Sequence, residues 1–184
     1  ATAMEKRHQG EVTWYEGLHT VGRGVHFNHR KEGPWSDKRV RQAVNLAIDR
    51  DAICQAIPAC FPGYQLPSAT YGITDRAALN EKPGWAPAGP GKDAEIAAAK
   101  KLMAEAGYPD GFEVDALCRD SVDYAERLCP VAEFLLRETL NIRATLDVKE
   151  TGAWNEAQQQ TGEWMMEFGS ANSANVDHPY NWLE

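Results

Sequence analysis

The sequence lacks several features that mark well-known protein classes. No apolar run approaches the ~18 residues needed to cross a bilayer. The net charge is −8, from 19 Lys and Arg against 27 Asp and Glu. This argues against nucleic acid as a partner, because phosphate binding needs concentrated positive charge. The only dense basic cluster, Lys38 to Arg41, lies on one predicted helical turn, and we interpret it as a solvated face.

Motifs of common enzyme classes are also missing. There is no GxSxG elbow, GxxxxGK[ST] loop or HExxH pair, and the sequence from Gly22 to Gly24 is too short to cradle a phosphate. His26 and His29 would lie on opposite faces of a strand, and His178 is next to Asp177 only in a predicted loop. We therefore predict that the chain is not an enzyme and binds no metal or cofactor.

The sequence has few cysteines and none in a CxxC pair, which argues against a structural zinc site. The four are Cys54, Cys60, Cys118 and Cys129. Local disulfides between the first two and between the last two would close short loops, but the sequence allows three connectivities. The alternative is that some are buried free thiols, which behave as small apolar residues.

What is present is most informative between Val25 and Ile53. A strand opens this stretch, with His26 and Asn28 on one face and Val25 and Phe27 on the other. The strand leads through a Gly-Pro turn into a helix. Local physics alone predicts a surface helix packed on a sheet.

The sequence predicts a well-defined start and a buried face for that helix. We predict Ser36 as the N-cap and a hydrophobic staple between Trp35 and Val40. The apolar positions then recur at helical spacing, which predicts one stripe facing the core: Val40, Ala43, Val44, Ala47 and Ile48.

This stretch resembles the bacterial extracellular solute-binding proteins of family 5, the oligopeptide, dipeptide and nickel receptors of ABC importers. In that family a strand ending in Phe-Asn leads through a Pro-containing turn to Asp-x-Arg-Val-Arg-Gln-Ala-x-x-x-Ala-Ile-Asp-Arg. The chain carries this string in register from Phe27 and Asn28 to Asp49 and Arg50. A second stretch, AKKLMAEAGYPDGFEV, is similar to the family's Ala-Gly-Tyr-Pro-Asp-Gly-Phe.

The resemblance implies an α/β fold, one lobe of the periplasmic-binding-protein type II (cluster C) fold, with a mixed, largely parallel sheet flanked by helices. We expect residues 1–184 to form a single lobe, the second of a larger two-lobed protein. The matched motifs belong to that lobe, and the first ten residues lack the apolar segment of a leader peptide. A Pro- and Gly-rich excursion at about 58–92 is expected to wrap over the lobe.

The remaining elements are predicted from periodicity and from turn residues. A helix from about Asp93, its N-cap, should end at Gly107 in a left-handed conformation. Alternating strand and helix segments then imply right-handed crossovers and parallel strands. A helix is predicted from about Val122 to Leu140, in which Pro130 either produces a kink or marks the true first turn. The other predicted elements are a strand around Glu11 to Tyr15, a strand from Phe112 to Cys118, a left-handed Asn141, a strand with Ile142, Ala144, Leu146 and Val148 inward, a helix from Ala153 to Gln160, and a strand from Glu163 to Phe168.

The function that the resemblance implies is the substrate-binding component of an ABC transporter. Such a protein captures a peptide or similar small solute between two lobes and delivers it to an inner-membrane permease. The alternative is a ligand-sensing regulatory module that uses the same fold. The periplasmic location implied for a family member favours local disulfides, since that compartment is oxidising.

By the same resemblance, five residues are expected at the ligand: His26, Trp154, Asn172, Asn175 and Asp177. His26 precedes the Phe-Asn pair, and Trp154 offers a flat apolar wall, although a buried core role is equally compatible with its position. Peptide receptors carry Trp-x-x-Asp where this chain has Asn172 and Asn175. That Asp pairs with a peptide amino group, and Asn175 lacks the charge, so the ligand class stays open. Asp177 is the alternative source of charge.

Overall fold

A mixed four-stranded sheet organises the part of the chain that the computed structural model describes, residues 23–57 and 76–170. Its strands are β1 (Arg23–Phe27), β2 (Glu113–Arg119), β3 (Arg143–Lys149) and β4 (Met166–Ser170), in the order β1-β4-β2-β3. β2 pairs in parallel with both β3 and β4, and β1 pairs antiparallel to β4. This confirms the expected α/β fold with a mixed, largely parallel sheet. The strand expected around 11–15 lies outside the described residues.

Helices connect and cover these strands. No helix within 23–57 or 76–170 is long and apolar enough to span a membrane. The helices are α1 (Lys38–Ala47), α2 (Arg50–Ala56), α3 (Arg76–Asn80), α4 (Pro90–Glu105), α5 (Cys129–Leu140) and α6 (Thr151–Asn155), with a 3₁₀ turn at Pro34–Ser36 and π-helical turns at Tyr124–Leu128 and Glu156–Thr161.

The core lies on one face of the sheet, beneath α1, α4 and α5. The predicted stripe of α1 is buried, with every member at most 7% exposed, which confirms its orientation. It meets Met103 of α4 and Leu136 of α5, while Val25 and Phe27 of β1 contribute from the sheet. Burial of this stripe provides most of the stabilisation of α1, because a ten-residue helix is marginal on its own.

The predicted N-cap is wrong by one residue for α1 and by four residues for α4, and proline explains both differences. Pro34 favours a 3₁₀ turn, so α1 begins later and its N-cap is Asp37, whose carboxylate accepts from the Arg39 N–H at 2.8 Å. α4 begins at Pro90, three residues before Asp93, because the fixed φ of proline suits the first helical turn.

The predicted end of α4 is confirmed. Gly107 has φ of 90°, and its N–H donates to the carbonyl of Ala104 at 3.0 Å. The Tyr108 N–H donates to the carbonyl of Met103 at 2.9 Å. These two bonds form a Schellman motif, which satisfies carbonyls that the helix itself leaves unpaired.

Several predicted boundaries around the later strands need correction. Pro130 lies in the first turn of α5, after a π-helical turn, which confirms the second of its two predicted roles; the helix begins at Cys129, not at Val122. The last strand is Met166–Ser170, not 163–168. Val148 is 47% exposed, because β3 is an edge strand. Asn141 does adopt the left-handed conformation, with φ of 53°, and the helix predicted to start at Ala153 starts at Thr151.

A disulfide joins Cys118, in β2, to Cys129, the first residue of α5. It confirms one of the two expected local pairs. Cys54 is also disulfide-bonded, while Cys60, its expected partner, lies outside the described residues. The Cys118–Cys129 bond closes the connection that carries Arg119 and the π-helical turn.

The described part of the excursion, from residue 76 onward, packs against α1 and α2. The Arg50 guanidinium lies 4.2 Å from the centroid of the Trp85 ring. Lys92 is only 3% exposed, and its ammonium donates to the carbonyls of Leu46 and Ile48 at 3.3 Å. It also forms an ion pair with Glu95 at 2.6 Å. A buried cation therefore satisfies carbonyls at the end of α1.

Candidate ligand-binding face

The face of the sheet opposite the core carries polar side chains. His26 of β1 lies directly opposite Glu167 of β4, and Glu167 lies beside Leu117 of β2. Because side chains alternate along a strand, these three residues share one face. Their neighbours Met166 and Phe168 point to the core and are fully buried. We call the surface formed by His26, Leu117, Arg119, Trp154, Gln158 and Glu167 the polar face.

Glu167 is the central acidic group of the polar face. It is 1% exposed, and its carboxylate accepts from the Gln158 amide at 3.1 and 3.4 Å. Burial raises the pKa of Glu167 to about 7, and the Gln158 amide, the Trp154 indole N–H and the charge of Arg119 oppose this rise. The dominant cause is desolvation, which disfavours the charged form.

His26 faces Glu167 across the strand pair. Its Nε2 atom is buried and makes no hydrogen bond within the described part of the chain. Burial lowers the pKa of His26, and the backbone of Gly169 partly opposes this shift. The imidazole is therefore neutral near pH 7 and keeps one ring nitrogen as an acceptor.

Trp154 forms an apolar wall beside the acid. It is 3% exposed and packs with Leu117, Ala157 and Trp164 in a cluster separate from the main core. Its indole N–H favours the ionised form of Glu167 but makes no hydrogen bond of ordinary geometry to any described residue. Helix α6 holds it in place, capped by the Glu150 carboxylate.

Arg119 ends β2 and supplies positive charge. Its guanidinium carbon lies 4.6 Å from the centroid of the Tyr124 ring and 5.5 Å from that of Trp154. Contact with two aromatic rings fixes a guanidinium by cation–π attraction. Arg119 therefore adds a fixed cation to the edge of the polar face.

Asn28, which follows β1, fastens the strand that carries His26. It is 4% exposed, and its amide donates to the carbonyls of Gly162 and Trp164, both at 2.9 Å. The backbone carbonyl of Asn28 accepts from the Trp35 indole at 3.0 Å. The Phe-Asn pair of the family string thus has a structural role here: it ties β1 to the segment that enters β4.

The structure brings together two of the five residues predicted at the ligand. His26 and Trp154 both lie on the polar face with Glu167, although Trp154 is also buried, as its alternative reading required. Ligand contact by either residue stays a prediction. The other three, Asn172, Asn175 and Asp177, lie outside the described residues.

Sequence reasoning missed Glu167, Arg119 and Gln158. One signal for Glu167 was available: a single acid alternates with Met166 and Phe168 in an otherwise apolar strand, which places it on the opposite face. Within the two described ranges, no group of three or more His, Cys, Asp or Glu side chains could hold a metal ion.

Comparison with known proteins identifies the family. The profile described as "Bacterial extracellular solute-binding proteins, family 5 Middle" matches residues 2–184. The chain belongs to this family. Its members and the structural neighbours described below are binding proteins.

Curated relatives of this chain include the glutathione-binding protein GsiB of Escherichia coli, 26% identical over 169 residues, which are 92% of this chain and 30% of that protein. Heme-binding protein A of Haemophilus influenzae is 35% identical over 94 residues, covering 50% of this chain and 15% of that protein. The chain therefore spans less than a third of the length of these relatives.

Solved structures share the fold. The unliganded open form of the periplasmic murein tripeptide-binding protein MppA aligns with a TM-score of 0.72 at 21% identity, covering 92% of this chain and 32% of that one. DppA of Helicobacter pylori in complex with the peptide STSA aligns with a TM-score of 0.64 at 22% identity, covering 90% of this chain and 30% of that one. These alignments confirm the periplasmic-binding-protein type II fold.

Proposed function

We propose that this chain is the second lobe of the substrate-binding component of an ABC importer. It captures a peptide or similar small solute against a first lobe, in the periplasm, and the loaded protein docks on an inner-membrane permease. The chain catalyses no reaction in this role. The ligand stabilises the closed conformation of the two lobes, and its binding therefore increases the fraction of closed protein that the permease recognises.

The polar face is the side of the lobe that we assign to the ligand. The observation that carries the proposal is the asymmetry of the sheet in a chain matched along nearly its whole length by a solute-binding family. One face is apolar and covered by α1, α4 and α5. The other gathers His26, Arg119, Trp154 and Glu167, a mixture of apolar wall and polar groups that is typical of small-molecule sites.

The test is ligand binding by the full-length receptor, measured by isothermal titration with a peptide library and with glutathione. Trp154→Phe keeps a ring but removes the indole N–H, and we expect it to weaken binding about 5-fold or more, the scale of one lost hydrogen bond. Trp85→Phe is the matched control, because Trp85 lies against Arg50, away from the polar face. Unchanged binding in Trp154→Phe would contradict the placement of the ligand on this face.

A further inference from the structure

Polar atoms on the polar face have fewer hydrogen-bond partners than buried groups normally have. Nε2 of His26 is buried and makes no hydrogen bond to a described residue, and the buried Nε1 of Trp154 makes none of ordinary geometry, although the indole N–H acts on Glu167. Among the described residues, the Glu167 carboxylate accepts hydrogen bonds of ordinary geometry from the neutral Gln158 amide alone. Buried polar groups are usually satisfied, so a cluster of exceptions indicates a place where another molecule binds.

The arrangement of acceptors defines what that molecule must offer. Glu167 and the neutral His26 are both acceptors, and directly opposed residues of an antiparallel pair have Cβ atoms about 4.5–5.5 Å apart. One group with several donors can therefore reach both. A primary ammonium carries three donors and a positive charge, and its charge would compensate the buried carboxylate as the Gln158 amide does not.

We propose that His26 and Glu167 together bind a positively charged nitrogen of the ligand, a primary ammonium, and that the Gln158 amide holds this place until the ligand arrives. This inference rests on the proposed function, since it requires the polar face to line the ligand cleft. Gln158 is half-buried and belongs to the π-helical turn, so a rotation of its side chain opens the carboxylate.

The charged groups around Glu167 do not neutralise its carboxylate, so we assign this neutralisation to the ligand. His26 faces it from β1 and is neutral near pH 7. Arg119 faces it from β2, but its guanidinium lies over the rings of Tyr124 and Trp154. The helical segment contributes only the uncharged Trp154 and Gln158. A ligand ammonium would lower the raised pKa of Glu167 and release a proton on binding.

The experiment compares trialanine and glutathione with their N-acetyl derivatives by isothermal titration of the full-length receptor near pH 7. We expect at least one free-amine probe to bind, and its acetylated form to bind about 10-fold or more weaker, because a buried charge-assisted pair is lost. Glu167→Gln should reduce this preference to about 3-fold or less. Titration in buffers of different ionisation enthalpy should show proton release by the wild type and none by Glu167→Gln.

Control variants separate recognition from folding. Glu163→Gln changes an exposed acid on the same segment, which pairs with Lys31 at 3.1 Å with 71% of its side chain exposed, and it should keep the full preference. Thermal unfolding checks that Glu167→Gln is folded. His26→Phe keeps a ring without the acceptor and should reduce the preference in the same direction.

Each remaining outcome is decisive. Equal binding of free and acetylated probes by the wild type, or an undiminished preference in Glu167→Gln, would overturn the inference and leave the proposed function standing. If none of the probes binds the full-length wild type, both the inference and the proposed peptide-like ligand fall.

Discussion

At the scale of single residues, two buried ionisable side chains have opposite surroundings. Lys92 is enclosed by acceptors that match its charge: three backbone carbonyls and Glu95. Glu167 is enclosed by the Gln158 amide, the Trp154 indole and apolar groups, and it forms no ion pair within the described part of the chain, although the charge of Arg119 acts on it. The first environment is complete within the lobe, whereas we propose that a ligand completes the second. This contrast separates a structural ion from one available for recognition.

Lys92→Met should destabilise the lobe by about 2–4 kcal/mol, because it removes the cation that pairs with Glu95 Oε2 and leaves the carbonyls of Leu46 and Ile48 without this donor. Chemical denaturation measures this change in the free energy of unfolding. Lys101→Met is the matched control on the same helix: Lys101 has 79% of its side chain exposed, and we expect a change within about 0.5 kcal/mol. Similar stabilities of the two variants would show that the buried contacts are not stabilising.

The raised pKa of Glu167 predicts a pH dependence of stability. Its pKa in the folded state, about 7, lies above the usual 4.5, so between these values the folded state holds more protons than the unfolded state. Stability therefore falls as pH rises from about 4.5 through about 7, by at most about 3 kcal/mol. The lowered pKa of His26 acts in the opposite direction, so the measurement is the difference between wild type and Glu167→Gln across this range. A constant difference would contradict the assignment.

At the scale of elements, each connection is fixed by a few special residues. The Schellman motif at Gly107 ends α4, the left-handed Asn141 ends α5, and the Cys118–Cys129 disulfide joins β2 to α5. These features orient α4 and α5 over one face of the sheet. On the opposite side, α6 and the π-helical turn that follows it contribute Trp154 and Gln158 to the polar face.

Gly107→Ala tests one of these ends. A Cβ at this position would meet no atom within 4 Å, so its cost is the positive φ alone, about 1–2 kcal/mol. Gly91→Ala is the control within the same helix: its φ lies outside the positive range, and alanine there should be neutral or stabilise by up to about 1 kcal/mol. Denaturant titration of both variants gives the comparison, and equal effects would contradict the strain argument.

Removal of the disulfide by the double substitution Cys118→Ala and Cys129→Ala should lower the free energy of unfolding by about 3 kcal/mol, the value expected for a short closed loop. The same change should loosen residues 119–128, which carry Arg119 and Tyr124. Hydrogen exchange of that segment, compared with α4 as the internal control, measures the local effect. Unchanged protection of 119–128 would show that packing alone holds this connection.

Elements with strong periodicity could be predicted from the sequence. The position of a strand in the sheet could not, because it depends on pairing between residues far apart in the chain. The stripe of α1 and the end at Gly107 depend on neighbours in the chain, so they could be predicted. The place of β4 between β1 and β2 could not, because about 140 residues separate the paired strands β1 and β4. The alternation of Glu167 with Met166 and Phe168 was visible in the sequence, but its position opposite His26 depends on the same distant pairing.

At the scale of the whole molecule, the proposed function makes the described lobe one of two that share the ligand. If ligand is held between two lobes, an isolated lobe offers only part of the contacts and loses most of the affinity. We therefore expect the full-length receptor to bind its ligand and the isolated 184-residue chain to bind at least about 100-fold more weakly. Titration of both proteins with the same probe is the test. Micromolar binding by the isolated chain would contradict a two-lobed site.

The bridge made by Asn28 has an entropic consequence for recognition. Its amide bonds to Gly162 and Trp164 connect the end of β1 to the approach of β4, so His26 and Glu167 are held side by side by bonds formed during folding. If this pair binds the ligand as proposed, the ligand does not have to order two separate segments, and that conformational cost is absent from its binding free energy. The Asn28 amide would then contribute to affinity through bonds that form during folding.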